Sequence, residues 1–193
     1  MRRSIRLRRY DYAQAGACFV TVVSRGRLCL FGDILDGEMR LSECGRIAQA
    51  EWFRTATLRR YVSLSVDEFI AMPNHVHGII WITEDVVDAV GAQRRCAPTS
   101  PGGLAPGVVP ASLSAIVRAF KSATSRHINR LRGTPGAPLW QRNYYQHVMR
   151  GDDQLAKIRR TIATNPLQWE LDRENPNARG GADVPSIDEP WRE

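Results

Sequence analysis

Two histidines one residue apart, His75 and His77, are the side chains in this sequence best placed to do chemistry together. They stand in the stretch AMPNHVHGII, and the apolar run 79–82 behind them is typical of a buried central strand. In a strand, side chains at i and i+2 point to the same face, so both imidazoles would project together. That arrangement suits a two-imidazole metal site, and a pair of surface or hydrogen-bonded histidines is the alternative.

The patterns around this pair alternate between strand and helix. Pro73-Asn74 predicts a tight connection before the histidine strand, and Pro166 must end the last helix. The sequence predicts strands at 16–24, 62–71, 75–84 and 139–150, a hairpin or loop at 25–41, and helices that start after Ser42, after Ser112 or Ser114, and at Asp152-Asp153. This order predicts an α+β fold of the ferredoxin-like βαββαβ type, with an antiparallel sheet, helices on one face and an added C-terminal helix.

Composition indicates one folded domain with a polyanionic partner. The chain has 193 residues, 43% of them hydrophobic, which is enough for one core. The net charge of +7 and the pI of about 9.7 favour nucleic acid, although an anionic membrane or simple solubility suits the same balance. We expect a single domain at 1–170, with a flexible Gly/Pro-rich excursion at 85–110, and a loose charged tail at 171–193.

Several other classes of protein are disfavoured. The four cysteines form no C-x-x-C pair, so neither a zinc ribbon nor a small disulfide scaffold is expected. The basic N-terminus is not followed by an apolar stretch long enough for a secretory signal, and no run of about 18 apolar residues predicts a transmembrane helix. A cytoplasmic location, at the bacterial nucleoid, is the resulting expectation.

A set of segments spread along the chain resembles one family. MPNHVHGII resembles the HUH motif of single-tyrosine transposases, and the chain from about 5 to 170 is similar to the REP-associated tyrosine transposases and their insertion-sequence relatives. The segments that carry the resemblance are IRLRRYDYAQAGACFVTVVSRGR near the start, LFGDI (30–34), FIAMPNHVHGIIWI (69–82), SLSAIVRAFKSATSRHIN (112–129), LWQRNYYQHVMR (139–150) and IRRTIATNPLQW (158–169).

The resemblance implies a DNA transposase that acts as a single-strand endonuclease and strand transferase. Such enzymes bind single-stranded DNA folded into imperfect hairpins and use a divalent metal, Mg2+ or Mn2+, to polarise the scissile phosphate. A tyrosine on a late, catalytic-type helix attacks it, which leaves a 5′-phosphotyrosine link and a free 3′-hydroxyl that later reverses the bond. By resemblance the metal ligands are His75, His77 and Asn165, and the REP-associated branch, which is monomeric, is favoured over the dimeric insertion-sequence branch.

The nucleophile position departs from the family pattern. That pattern has tyrosine four residues before the asparagine, where this chain has Thr161. A threonine hydroxyl is far less acidic than a phenol and a much worse leaving group in the reverse step. Three readings stay open: cleavage through Thr161, cleavage through a substitute tyrosine at Tyr144 or Tyr145, or a catalytically silent protein that only binds hairpin DNA. A metal-binding protein unrelated to DNA is a further alternative.

Basic residues are the expected DNA contacts. Arginine suits phosphates and base edges, and the resemblance gives the N-terminal arm a part in reading the hairpin. The predicted DNA-binding residues are Arg2, Arg3, Arg6, Arg8 and Arg9 in the arm, with Lys121 and Arg126 on the second helix. A solvated arm and an ordinary solvated helix face are the alternatives.

Overall fold

The computed structural model describes residues 15–83 and 112–178. The five arginines of the predicted N-terminal arm, the excursion predicted at 85–110 and residues 179–193 of the predicted tail lie outside the described residues. The strands are β1 (Gly16–Val23), β2 (Gly32–Leu35), β3 (Glu38–Leu41), β4 (Val62–Ser63), β5 (Phe69–Ala71), β6 (His75–Ile82) and β7 (Tyr145–Val148). The helices are α1 (Glu43–Leu58), α2 (Leu113–Leu131) and α3 (Asp152–Thr164), which continues as a 3-10 helix over Asn165–Leu171.

The main sheet is antiparallel and has β6 and β1 at its centre. The strand order is β4-β6-β1-β7, and β5 also pairs with β6. Strands β2 and β3 form a separate hairpin. The prediction of a βαββαβ α+β fold with an added C-terminal helix is therefore confirmed.

The alternation of side chains along β6 divides the molecule into two layers. Val76, Ile80 and Ile82 point into the larger core, between the sheet and helices α1 and α2. Ile79 points to the opposite face, where it packs with Phe19 and with residues of α3. Because side chains two residues apart share a face, His75 and His77 lie on the α3 side.

Close packing against Trp52 explains why position 78 is a glycine. A Cβ built there would lie 2.2 Å from the ring of Trp52, which fills that space against the sheet. Any larger residue would have to displace this buried tryptophan of α1. The strand that carries the histidines is thereby held close to the main core.

The predicted helix starts are confirmed. The Ser42 hydroxyl accepts from the backbone N–H of Gly45 at 3.1 Å, and the Ser112 hydroxyl accepts from Ala115 N–H at 3.4 Å. Each satisfies one of the donors left open at a helix start. Of the two serines considered for α2, the cap is therefore Ser112. No described helix is both long and apolar enough to cross a bilayer.

The strand predicted at 62–71 is wrong in detail, because it is two short strands. β4 and β5 both pair with β6. Five residues separate β4 from β5, whereas only two residues of β6 lie between the partners of these strands. The surplus is taken up by a 3-10 turn over Val66–Glu68. This turn carries a buried carboxylate, Glu68, which accepts from Trp81 Nε1 at 2.7 Å.

The strand predicted at 139–150 is shorter, and only Tyr145–Val148 forms a ladder with β1. Upstream, Trp140 makes a single bridge with Ser24. The backbone carbonyls of 141–143 accept from the ammonium group of Lys121, so they form no β-ladder hydrogen bonds with β1.

Candidate metal centre

The two histidines form a buried imidazole pair at the start of β6. Both are fully buried, and their Nε2 atoms lie 2.9 Å apart. The two rings are steeply inclined, at 69°. Two nitrogens at about 2.1 Å from one cation and at right angles to each other lie about 3.0 Å apart. The pair therefore has the spacing of two neighbouring ligands of a single metal ion.

Neighbouring side chains fix the orientation of both rings. Asn74 Nδ2 donates to the carbonyls of Arg27 at 3.2 Å and Glu174 at 2.6 Å, so its Oδ1 faces His75. That oxygen lies 2.8 Å from His75 Nδ1 and only accepts, which leaves the lone pair of this ring on Nε2. Thr21 Oγ1 lies 2.9 Å from His77 Nδ1 and orients the second ring; as a hydroxyl it can either donate or accept there. Such contacts to the outer ring nitrogen are typical of metal-binding histidines.

A carboxylate completes the cluster. Asp172 is buried, and its Oδ2 lies 3.7 Å from His75 Nε2. One ligand atom from each of His75, His77 and Asp172 lies within 4.8 Å of the others. Two imidazole nitrogens and one carboxylate oxygen suit a divalent metal ion, and the residues present therefore fit such a group.

Asn165 is the third metal ligand that the family resemblance implies. Its side chain is buried, and within the described part of the chain neither its Oδ1 nor its Nδ2 has a hydrogen-bond partner. A buried amide with no partner is costly, so the residue fits a role as a ligand through Oδ1. Its role as a ligand stays a prediction.

Asp172 was missed by sequence reasoning. It lies in the stretch predicted to be a loose tail, and no motif or spacing marks it. In the structure Asp172 and Glu174 are buried against the domain, and Asp172 Oδ1 accepts from the N–H of Glu174 at 2.7 Å. Glu174 in turn binds Arg27 Nε at 2.9 Å. The Trp169 ring centroid lies 6.1 Å from that of His75. The chain after α3 thus covers the histidine pair.

Burial keeps both imidazoles neutral. It lowers the pKa of His75 well below its ordinary range, with a further contribution from His77. Burial also lowers the pKa of His77 to about 3, although the Glu174 carboxylate acts in the opposite direction. Neutral imidazole is the form that binds metal, so protons do not compete for this site near neutral pH.

The low pKa of His77 predicts a stability contribution that depends on pH. The unfolded chain takes up a proton near the ordinary pKa of 6.5, whereas the folded chain does so only near 3. The contribution is therefore complete above about pH 6.5 and is lost as the pH falls towards 3. We expect the difference in free energy of unfolding between the protein and a His77→Gln variant to shrink over that window. Urea titrations in EDTA at pH 7, 5 and 4 measure it, and a constant difference would contradict the prediction.

Thr161 lies on α3 and is half-buried. Its hydroxyl donates to the backbone carbonyl of Lys157, one turn earlier, at 3.0 Å. Neighbouring Ile158 and Ile162 bury the inner face of the helix against Phe19 and Ile79. The helix is therefore seated on the face of the sheet that carries the histidines.

The two adjacent tyrosines point to opposite faces. The Tyr144 hydroxyl donates to Ser114 Oγ on α2 at 3.4 Å, so Tyr144 lies on the far side of the sheet from the histidines. Tyr145 stands opposite Thr21 in the ladder, and Thr21 stands opposite His77. Because directly opposed residues share a face, Tyr145 lies on the histidine face. Of the two predicted substitutes, the structure brings only Tyr145 to that side.

The predicted DNA contacts on α2 lie in the layer opposite the histidine face. Lys121 Nζ donates to the carbonyls of Gln141 at 2.5 Å, Arg142 at 3.2 Å and Asn143 at 3.5 Å. Burial lowers the pKa of this ammonium group to about 8. Arg126, one turn further along, is exposed. The structure thus gives Lys121 a bond to the protein backbone, and contact with DNA by either residue stays a prediction.

A Lys121→Met variant tests this bond. We expect it to lower the free energy of unfolding by about 1–3 kcal/mol, because three carbonyls lose a charged donor. Its affinity for DNA should change no more than that of Arg118→Met, a matched variant of an exposed arginine on the same helix that is not among the predicted DNA contacts. Urea unfolding and DNA titration at two salt concentrations measure both effects. Unchanged stability with a shallower salt dependence would instead make Lys121 a phosphate contact.

Comparisons with known proteins define the class of protein. The fold is similar to that of a REP-associated tyrosine transposase solved with a REP hairpin, with a TM-score of 0.54 and 17% identity over 86% of this chain and 74% of that one. No protein-family model matches the chain. The fold is thus of the REP-associated transposase type.

An uncharacterized protein of Haemophilus influenzae strain Rd is 33% identical over 172 residues. The match covers 89% of this chain and 92% of that protein. The chain belongs to the same family as this H. influenzae protein.

Proposed function

We propose that the protein binds single-stranded hairpin DNA and processes it at a divalent metal site, in the manner of a transposase. One observation carries this proposal: two neutral, fully buried imidazoles with their Nε2 atoms 2.9 Å apart, in a fold of the transposase type. The net charge of +7 supports a polyanionic partner. The hairpin as substrate is inferred from the solved transposase, which is bound to a REP hairpin.

The chain's own residues have separate tasks in this proposal. His75, His77 and Asp172, with Asn165, hold the cation, and Asn74 and Thr21 keep both rings in the binding orientation. A divalent cation, when bound, would neutralise the charge on the non-bridging phosphate oxygens. The expected ion is Mg2+ or Mn2+, and we expect a monomer.

The nucleophile decides whether the protein cleaves. A phenol oxygen attacks phosphorus, a P–O bond to tyrosine forms, the P–O3′ bond breaks, and the 3′-oxygen leaves with a proton. Thr161 is a poor group for this step, since its hydroxyl is weakly acidic and bonded within its own helix. Tyr145 is the tyrosine on the histidine face, and we propose it as the nucleophile if wild-type protein cleaves. A hairpin-binding protein with no cleavage is the second candidate, and it is favoured by the threonine at position 161.

A covalent-adduct assay tests the proposal. Protein, manganese and labelled single-stranded hairpin DNA from the flanks of its own gene are mixed and separated on a denaturing gel. An adduct that is lost in Tyr145→Phe and in His75→Ala, but kept in Tyr144→Phe and Thr161→Ala, would support cleavage through Tyr145.

A native gel and a salt titration complete the design. No adduct together with a tight, salt-sensitive complex would identify the non-cleaving hairpin binder. Hairpin binding no stronger than binding to an unstructured strand of the same length would overturn the proposal.

A further inference from the structure

A groove of about 520 Å³ runs between α3 and the segment from the 3-10 turn to β5. Val66, Ile70, Ile162 and Ala163 give it apolar walls, and Asp67, Arg159 and Arg160 add charges of both signs. Its volume lies within the range of small-molecule and cofactor sites, about 300–1,000 Å³. Mostly apolar walls with a few polar groups are the usual composition of such sites.

The groove adjoins the histidine pair. Ile70 is paired with His77 across the β5–β6 ladder and therefore shares its face. On α3, Arg160 directly precedes Thr161 and Ile162 directly follows it. A nucleotide next to a phosphate held by the histidines would lie within reach of this groove.

The wall that joins helix to sheet is fixed by an ion pair between a half-exposed arginine and a buried carboxylate. Arg159 donates to Glu68 Oε1 through Nη2 at 2.6 Å and Nε at 2.9 Å, and Trp81 donates to Oε2 of the same carboxylate. Glu68 is buried, so this fork ties α3 firmly to the turn. Arg159 is committed to this ion pair, and Arg160, which is also exposed, is the second cation at the groove.

We propose that this groove binds one unpaired nucleobase of the DNA strand, next to the scissile phosphate; this rests on the proposed function. Apolar walls accept the flat ring, and base stacking is tolerant of sequence. The Arg160 guanidinium is placed for a flanking phosphate. The Asp67 carboxylate accepts from an exocyclic amino group, which adenine, cytosine and guanine carry and thymine lacks.

Hairpins with a single abasic residue locate the occupant. The abasic residue is moved through each unpaired position beside the stem, and affinity is measured by native gel. We expect one position at which the missing base weakens binding by about 5- to 150-fold, the usual worth of one stacked base. No such position, in a protein that still binds the intact hairpin, would overturn this inference and leave the proposed function standing.

Variants of the groove complete the test. Ala163→Trp fills the groove and should abolish the penalty of the abasic residue, whereas Ala156→Trp, on an exposed site of the same helix, should keep it. Asp67→Ala should remove the preference for amino-bearing bases over thymine at that position. Equal effects of the two tryptophans would contradict the inference. Free mononucleotides that compete as strongly as the strand would also overturn it, because the site would then be one for free nucleotides.

Discussion

A Thr161→Tyr variant is expected to raise the yield of covalent protein–DNA adduct by at least about 100-fold over the wild-type protein. The pKa of a phenol is about 10, whereas an aliphatic hydroxyl is a far weaker acid, closer to water. The phenol is therefore both the more available nucleophile and the better leaving group in the reverse step. Labelled hairpin DNA, manganese and a denaturing gel measure the yield.

The contacts of α3 support a phenol at this position. Gln154 Oε1 lies 3.5 Å from Nε2 of His147, a residue of β7. Thr161 lies seven residues further along, on the same side of the helix. Because Tyr145 and His147 are two residues apart in β7, both share the face on which α3 lies. A tyrosine at 161 would thus enter the same layer as the histidine pair.

Two controls separate the effect of the phenol hydroxyl on adduct yield from the effect of the aromatic ring. Thr161→Phe adds an aromatic ring with no nucleophile, and it should give no more adduct than the wild-type protein while binding the hairpin like Thr161→Tyr. The double variant Thr161→Tyr with His77→Ala should lose the adduct again. Equal adduct from wild type and Thr161→Tyr would mean that another residue is the nucleophile, and Tyr145→Phe would then identify it.

Much of the fold was predictable from local patterns. The β-branched run at 16–24, the serine caps and the helix-ending Pro166 are local signals, and each element formed where its pattern predicts. The histidine pair is also a local signal, because strand geometry alone places i and i+2 on one face. These predictions needed no knowledge of which strands and helices contact one another in the fold.

The rest depended on contacts between distant parts of the chain. The break in the strand predicted at 62–71 follows from pairing with β6 and from the buried partner of Arg159, 91 residues away. The different faces of the two tyrosines depend on the register between β7 and β1. Asp172 joins the histidines only because the chain folds back after α3, and an isolated aspartate carries no pattern. Such long-range arrangements are set by packing rather than by propensity.

Removing one histidine should abolish the metal site, with a larger effect than any other single change. We expect manganese to raise the Tm of the wild-type protein, because a ligand that binds only the folded state stabilises it by about 2.7 kcal/mol at 100 times its Kd. His75→Ala should show no such rise and no metal-dependent cleavage. Thermal unfolding with EDTA and with increasing manganese measures the first effect, and His127→Ala, on a half-exposed site of α2, is the matched control.

The same titration decides between Asp172 and Asn165 as the further ligand. Asp172→Asn should weaken manganese binding by about 10- to 100-fold or more if the carboxylate is a ligand or orients one. In EDTA the same variant should be as stable as the wild type or more stable, because a buried charge is removed. A carboxylate with only a structural role would give the reverse: lower stability in EDTA and an unchanged response to metal. Asn165→Ala distinguishes the amide in the same way, since among the residues that the structure describes its side chain has no hydrogen-bond partner to lose. A loss of metal affinity in both variants would show that helix α3 and the chain after it close the site together.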